Sequence, residues 1–293
     1  MHSWHYVTVG VADLESALAQ WRLFGFVDAA DPYANDAEFA AVWGLSNESF
    51  GRRCCVQTQG VDTGHVHLVE FGASTPSVRA GAAAFDRCPK NLDIHVSGLP
   101  NKVSELQAAG LQLKSETVSE VTAPDGTAFR ELHVHGHDDT NVVLLEVLGQ
   151  SLPFNTEGFA GVGPVVTTVF DRPAEQAFYE RVFKLELLNE NLLEGPEIEA
   201  MVGLPSGAAL DVVILGNPGE HFGRIELVEY RNTGGISLYE RARAPARGIL
   251  GVSYSVDSVD ALSKRLLDVG VRFDSVHRRL RFESPNGFSI EAH

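Results

Sequence analysis

Imidazoles and carboxylates recur at alternate positions along several short apolar runs of this 293-residue chain. His65 and His67 flank Val66. Asn91, Asp93 and His95 alternate with Leu92 and Ile94, and Glu131, His133 and His135 alternate with Leu132 and Val134. Residues two apart on a strand share a face. With the apolar members turned toward a core, the polar members point the other way together. Tyr6 joins them from a run whose apolar face is Val7, Val9 and Val11. One concave surface would then gather Tyr6, His65 and His67 with Asn91, Asp93 and His95, and with Glu131, His133 and His135. Imidazole is a common ligand of borderline metals and titrates near neutral pH. Two or three imidazoles with one carboxylate leave open coordination positions that can polarise a pair of neighbouring oxygens. Without a metal, a His with Tyr or Asp can take an acidic proton from beside a carbonyl. The stretch from His133 to His137 reads equally well as an edge strand running into a turn.

The elements that must position these residues come in copies. Gly44, Gly60 and Gly64 return as Gly203, Gly219 and Gly223 at one constant spacing, and His65-Val-His-Leu-Val-Glu-Phe returns as Arg224-Ile-Glu-Leu-Val-Glu-Tyr. A strand over 6–11, then Asp13, then a helix over 14–24 correspond to a strand over 165–169, Asp171 and a helix over 174–183. Strands over 53–59 and 65–71 correspond to 211–216 and 224–230. A strand over 92–97 and a helix over 100–109 stopped by Gly110 match 250–256 and a helix over 258–269 stopped by Gly270. The chain therefore reads as four modules in two domains, 1–150 and 164–293, joined by a glycine-rich linker over 151–163. Two pairings stay open: modules 1 and 2 share a cleft, or module 1 pairs with module 4 and brings His67 toward Glu291.

Composition narrows the partners. A net charge of −16 argues against nucleic acid or an anionic membrane surface, leaving a small molecule as the expected partner; a homodimer is permitted. No apolar run approaches the roughly 20 residues that span a bilayer. No secretory signal is visible, and three cysteines without zinc-type spacing read as reduced thiols, so a cytoplasmic location is expected.

Repeated strand–helix–three-strand modules, an Asp after the first strand and closing strands of the Ile-Glu-Leu type resemble the vicinal oxygen chelate superfamily, which includes glyoxalase I, bleomycin-resistance proteins and extradiol dioxygenases. Ala177-Phe178-Tyr179 and the hairpin Ser284-Pro285-Asn286-Gly287 before Phe288-Ser-Ile-Glu291 fit the same resemblance. It implies an α+β fold of four βαβββ modules in two tandem glyoxalase-like domains, with curved sheets around clefts. It also implies one divalent metal ion as cofactor, held near the start of a module's first strand and within its closing strand. Those positions fall at Tyr6 and His67, at Asn91, at Pro164 and Glu226, and at Gly251 and Glu291. The closing position of the second module is Glu131 if Pro124-Asp125-Gly126 is its last hairpin, or lies near Leu144 or Glu146 if Asp138–Asn141 is.

Comparing the copies, His67 stands where the second copy keeps Glu226. The expected site is therefore the N-terminal cleft of a lyase, isomerase or ring-opening enzyme acting on a small oxygen-rich molecule. His67, His95, Tyr6 and Glu131 would be catalytic, and Asn91, His65, His133 and His135 would bind substrate. His67, His95 and Glu131 would hold the metal, with Glu226 and Glu291 as the alternative set. On this reading His67→Ala abolishes activity and Glu226→Gln is tolerated. A metal-free binding protein of the bleomycin-resistance type is the competing reading. An extradiol dioxygenase is disfavoured, because Pro164 and Gly251 stand where its histidines belong.

Overall fold

A computed structural model describes residues 3–46, 49–72 and 75–293. Module 1 comprises β1 (Tyr6–Val11), α1 (Leu14–Leu23), β2 (Phe26–Ala29), α2 (Asp36–Trp43), β3 (Phe50–Thr58) and β4 (His65–Phe71). Module 2 comprises β5 (Pro89–Val96), α3 (Leu99–Ala108), β6 (Ser119–Thr122), β7 (Ala128–His135) and β8 (Asn141–Val147). Module 3 comprises β9 (Phe159–Thr168), α4 (Arg172–Phe183), β10 (Glu186–Glu194), α5 (Pro196–Val202), β11 (Ala209–Gly216) and β12 (Arg224–Arg231). Module 4 comprises β13 (Gly248–Tyr254), α6 (Val259–Asp268), β14 (Phe273–Val276), β15 (Arg279–Glu283) and β16 (Ser289–Ala292).

The strands form two eight-stranded sheets. One runs β14-β15-β16-β13-β1-β4-β3-β2, the other β10-β11-β12-β9-β5-β8-β7-β6. Each sheet thus takes one module from each half of the chain, pairing module 1 with 4 and module 2 with 3. First strands meet antiparallel at each centre, with Tyr6 opposite Ser253 and Asn91 opposite Val166. This corrects the expected single surface: Tyr6, His65 and His67 lie on one sheet, whereas Asn91, Asp93, His95, Glu131, His133 and His135 lie on the other. Strand β9 also begins at Phe159, inside the stretch expected as linker, because Phe159 and Val162 pair with Val96 and Ile94 of β5.

The alternation itself is as expected. Val7, Val9, Val11, Val66 and Leu68 pack with Leu92, Ile94 and Val96 in one core shared by both sheets, each at most 1% exposed. The Asp that follows the first strand is a helix N-cap: Asp13 accepts from Ser16 N at 2.7 Å, and Asp171 from Ala174 N at 2.9 Å. Glu70 and Glu229 accept from the backbone of the same helix starts, at Leu14 N and Arg172 N, so this repeated pair is structural.

The glycines that mark the repeat have two uses. Gly44 and Gly203 end α2 and α5 in the left-handed region, at φ 65° and 75°. Gly64 and Gly223 stand where the sheets meet. A Cβ on Gly64 would lie 2.5 Å from Val162 O, and one on Gly223 would lie 2.4 Å from Trp4 O. Only a residue without a side chain permits that approach. All three cysteines are free, and among the described residues no helix is long and apolar enough to cross a membrane.

Candidate functional site

The cleft between modules 1 and 4 is filled. Helix α2 and the turn before it bring Phe39, Trp43 and Tyr33 inside, where they join Tyr6 in a buried cluster. Glu291 of β16 is saturated there. Tyr6 Oη donates to its Oε1 at 3.1 Å, Arg279 Nη1 to the same oxygen at 2.6 Å, and Tyr33 Oη to Oε2. Arg279 is shared with Glu38 at 2.9 Å, and Trp43 Nε1 donates to Tyr33 Oη at 2.8 Å. Burial raises Glu291 against the pull of Arg279.

His67 is fully buried against the rings of Tyr33, Tyr6 and Phe39, with centroids 5.5, 5.6 and 5.7 Å away. Among the described residues neither of its ring nitrogens has a hydrogen-bond partner. Burial, then the charges of Arg53 and Arg279, drive its pKa down to about 3, so the ring is neutral. His67 is therefore enclosed by these rings, away from the open cavity between modules 2 and 3. His65 lies at the end of this cleft, its Nε2 3.0 Å from Val61 O and its ring 4.9 Å from that of His5.

The cleft between modules 2 and 3 is open, with a cavity of about 160 Å3. Its polar lining comes from four strands: Lys90, Asn91 and Asp93 of β5, Glu131 and His133 of β7, Asn189 and Asn191 of β10, and Glu226 and Tyr230 of β12. Leu145 of β8 joins the apolar wall with Val166, Val212 and Val228. Glu226 is where the family resemblance put a closing-strand carboxylate. Glu131 is not: the last hairpin of module 2 spans Gly136 to Thr140, so Glu131 lies on the middle strand, opposite Leu145. Of the two alignments open in the sequence, the one through Asp138–Asn141 holds.

The charges in this cavity constrain one another. Burial pushes Asp93 well above the usual carboxylate range, and the negative charges of Glu226 and Glu131 push the same way. Burial and then Glu131 raise Glu226 to about 8, with Lys90 pulling back. Burial also raises Glu131, but the hydrogen bond and charge of His133 outweigh it and leave Glu131 low. His133 Nε2 is 2.5 Å from Glu131 Oε1. Lys90 is brought down to about 8 by burial and then by Arg79, and its ammonium donates to Tyr230 Oη. Near neutral pH these shifts leave Glu131 ionised and Glu226 protonated, with the Lys90 ammonium in the lining of the same cavity.

Two expected residues stand aside from this group. His95 is buried against Phe222 and Gly163, its Nδ1 unpartnered, and burial takes it to about 3. His135 lies exposed at the end of β7, where its carbonyl accepts from Gln20.

Sequence alternation missed Lys90 because it precedes Asn91 and should face the core. A register shift between Pro89 and Asn91 in the β5–β9 pairing turns it to the cleft. The signal was a lysine directly beside Asn91, two adjacent polar residues that break the polar–apolar alternation of this strand.

Neither cleft fits the divalent metal that the resemblance implied. Among the described residues, no group of three or more His, Cys, Asp or Glu side chains converges as a ligand set. In the open cleft Glu131 is engaged by His133, Asp93 accepts from Asn91, and Lys90 supplies the counter-charge. In the closed one the oxygens of Glu291 are taken by two tyrosines and Arg279.

No family model matches the chain, and no curated protein matches it by sequence. Solved structures do match it. Glyoxalase I from Zea mays superposes with a TM-score of 0.65 at 13% identity, covering 100% of this chain and 92% of that one. A candidate dioxygenase from Bacillus subtilis gives 0.62 at 12% identity, covering 99% and 84%. The chain has the vicinal oxygen chelate fold. That fold hosts many chemistries, so function must be argued from the site.

Proposed function

We propose that the working cleft is the one between modules 2 and 3, and that it moves a proton on a small carbonyl compound, as an isomerase or lyase does. The observation that carries this reading is a pair of carboxylates from opposite modules lining one cavity, Glu131 bonded to His133 and pulled low, Glu226 pushed up by burial. Glu131 takes a proton from the carbon beside the carbonyl. The electron pair passes toward the carbonyl oxygen, and the ammonium of Lys90 stabilises the charge that develops there. The carboxyl of Glu226 returns a proton to carbon, or to a departing group, and Glu131 hands its own back to restore the pair. Asn189 and Asn191 orient the substrate, and the valine and leucine wall excludes water from the exchange. No step uses a metal.

The test is proton exchange in D2O, followed by NMR, over a panel of small oxo acids bearing a hydrogen beside the carbonyl. Wash-out by the wild-type protein that disappears in Glu131→Gln and Glu226→Gln supports the reading. Wash-out lost in His67→Ala but kept in Glu226→Gln would return the site to the other cleft. Saturable binding without any exchange would favour sequestration, a second reading supported by the apolar wall of this cavity.

A further inference from the structure

A second and larger space adjoins the carboxylate cavity. It measures about 730 Å3 and shares Lys90, His133, Met201 and Val202 with the inner cavity, so a molecule seated in one can extend into the other. Three cations reach this outer chamber: Arg79 from the segment between β4 and β5, Lys90 from β5, and Lys114 from the segment after α3. The chain has 39 acidic side chains against 23 basic ones. Three cations gathered in one concavity therefore oppose the general charge of the molecule.

None of the three forms an ion pair among the described residues; their hydrogen bonds go to uncharged acceptors. Arg79 Nη1 donates to Cys88 Sγ at 2.9 Å and Nη2 to Ala83 O at 3.0 Å. Lys114 Nζ donates to Asn141 Oδ1 at 3.3 Å, and Lys90 Nζ to Tyr230 Oη. The cations also repel one another. After burial, the charge of Arg79 is the next cause that lowers both lysines, and Lys90 adds to the effect on Lys114. Cations held together without a direct ion-pair partner favour an arriving anion; the counter-charges that act on them, Glu131 and Glu226 on Lys90 and Asp139 on Lys114, make no contact within ion-pair distance among the described residues. Ser115, Thr117 and Ser119 add hydroxyl donors to the wall. Three glutamates also line the chamber, Glu116, Glu120 and Glu197, and one of them, Glu120, is engaged by Arg130 at 2.7 Å.

We propose that the outer chamber is an anion subsite in which Arg79 and Lys114 hold a carboxylate or phosphate group of the molecule whose reacting carbon lies between Glu131 and Glu226. The proposal rests on the proton-transfer reading for the identity of the inner cavity. It defines the substrate class as a small carbonyl compound with a remote oxyanion, and it makes Lys90 the boundary between binding and chemistry.

The experiment is calorimetric titration of the full chain with inorganic phosphate and, separately, malonate, at constant ionic strength set by chloride. Saturable heat with either probe is expected, and the stronger of the two identifies the oxyanion as phosphate or carboxylate. Lys114→Gln, a change at an exposed position, should weaken that binding about tenfold or more, as should Arg79→Gln. Lys264→Gln, exposed on α6 and away from the chamber, should leave it unchanged. If Arg79→Gln does not fold, Arg79→Lys with Lys114→Gln still decides the matter. No saturable heat in the wild type, or equal binding in Lys114→Gln, overturns the proposal. Neither probe is turned over, so the two readings fail separately. Absent proton exchange with intact, Lys114-dependent phosphate binding would sink the catalytic reading and leave the anion subsite standing.

Discussion

The two clefts of this molecule are built from the same modules and hold comparable acids, yet one is packed shut and the other is open. Helices α2 and α5 occupy equivalent places in modules 1 and 3. The first buries Phe39 and Trp43 in its cleft, while the second contributes only Ile198, Met201 and Val202 at the edge of the other. Glu291 is bonded by Arg279 and two tyrosines and is buried. Glu226 and Glu131 line one cavity with Lys90 as a buried counter-charge. The difference teaches that side chains from α2 and the turn before it can fill one copy of a duplicated cleft and leave the other open. The cleft with the more suggestive ligand position, at His67, is the closed one.

That comparison breaks most sharply on activity. Glu131→Gln and Glu226→Gln should each lower proton exchange by about 10²–10⁴-fold, the usual worth of a positioned acid or base. His67→Ala should leave the rate per folded molecule unchanged. NMR exchange rates, normalised to the folded fraction, check both.

The next contrast is in stability. Glu291→Ala leaves Arg279 with one carboxylate partner in a buried site and should cost about 3 kcal/mol, the lower end for breaking a buried pair. Glu226→Gln should be neutral or stabilising, since burial already pushes the carboxyl it replaces toward its protonated form. Urea unfolding of the two variants measures the difference.

The clefts should also respond oppositely to pH. Glu226 has a folded pKa of about 8 against an ordinary 4.5, so the folded chain keeps a proton that the unfolded chain has lost across that interval. Its contribution is full below about 4.5 and is lost as pH rises through about 8, at no more than about 1.4 kcal/mol per pH unit. His67 runs the other way. With a folded value of about 3 against 6.5, its contribution is present above 6.5 and is lost as pH falls toward 3. Glu226→Gln should flatten the alkaline limb of a stability–pH curve, and His67→Leu should flatten part of the acid limb. His95, which shares the shift to about 3, would keep the rest of that limb.

The smallest effects should show no contrast at all. Asp171 caps α4 behind the open cleft, and Ser258 caps α6 behind the closed one. Replacing either with Ala should cost about 1 kcal/mol by denaturant titration, regardless of which cleft the helix backs.

Much of the architecture was legible because it rests on local rules. Val7, Val9 and Val11 face the core, Asp13 and Asp171 start helices, and Gly110 and Gly270 follow helix ends as spacing alone indicated. The α+β class, the four modules and Glu226 as a cleft residue follow from the same repeat. The site was only half legible. His133, Asn91 and Glu131 do meet, but Glu131 reaches the cleft from a middle strand, and Lys90 reaches it through a register shift that no alternation pattern records.

By itself the sequence determined which residues turn inward or outward on each strand and where each helix begins, because backbone periodicity and caps act over a few residues. Which polar faces share a cleft depends on how β1 meets β13 and β5 meets β9, pairings between distant segments. Whether a cleft is open depends on the volume of Tyr33, Phe39 and Trp43 once α2 has docked. Those are properties of packing, and the tertiary structure alone decided them.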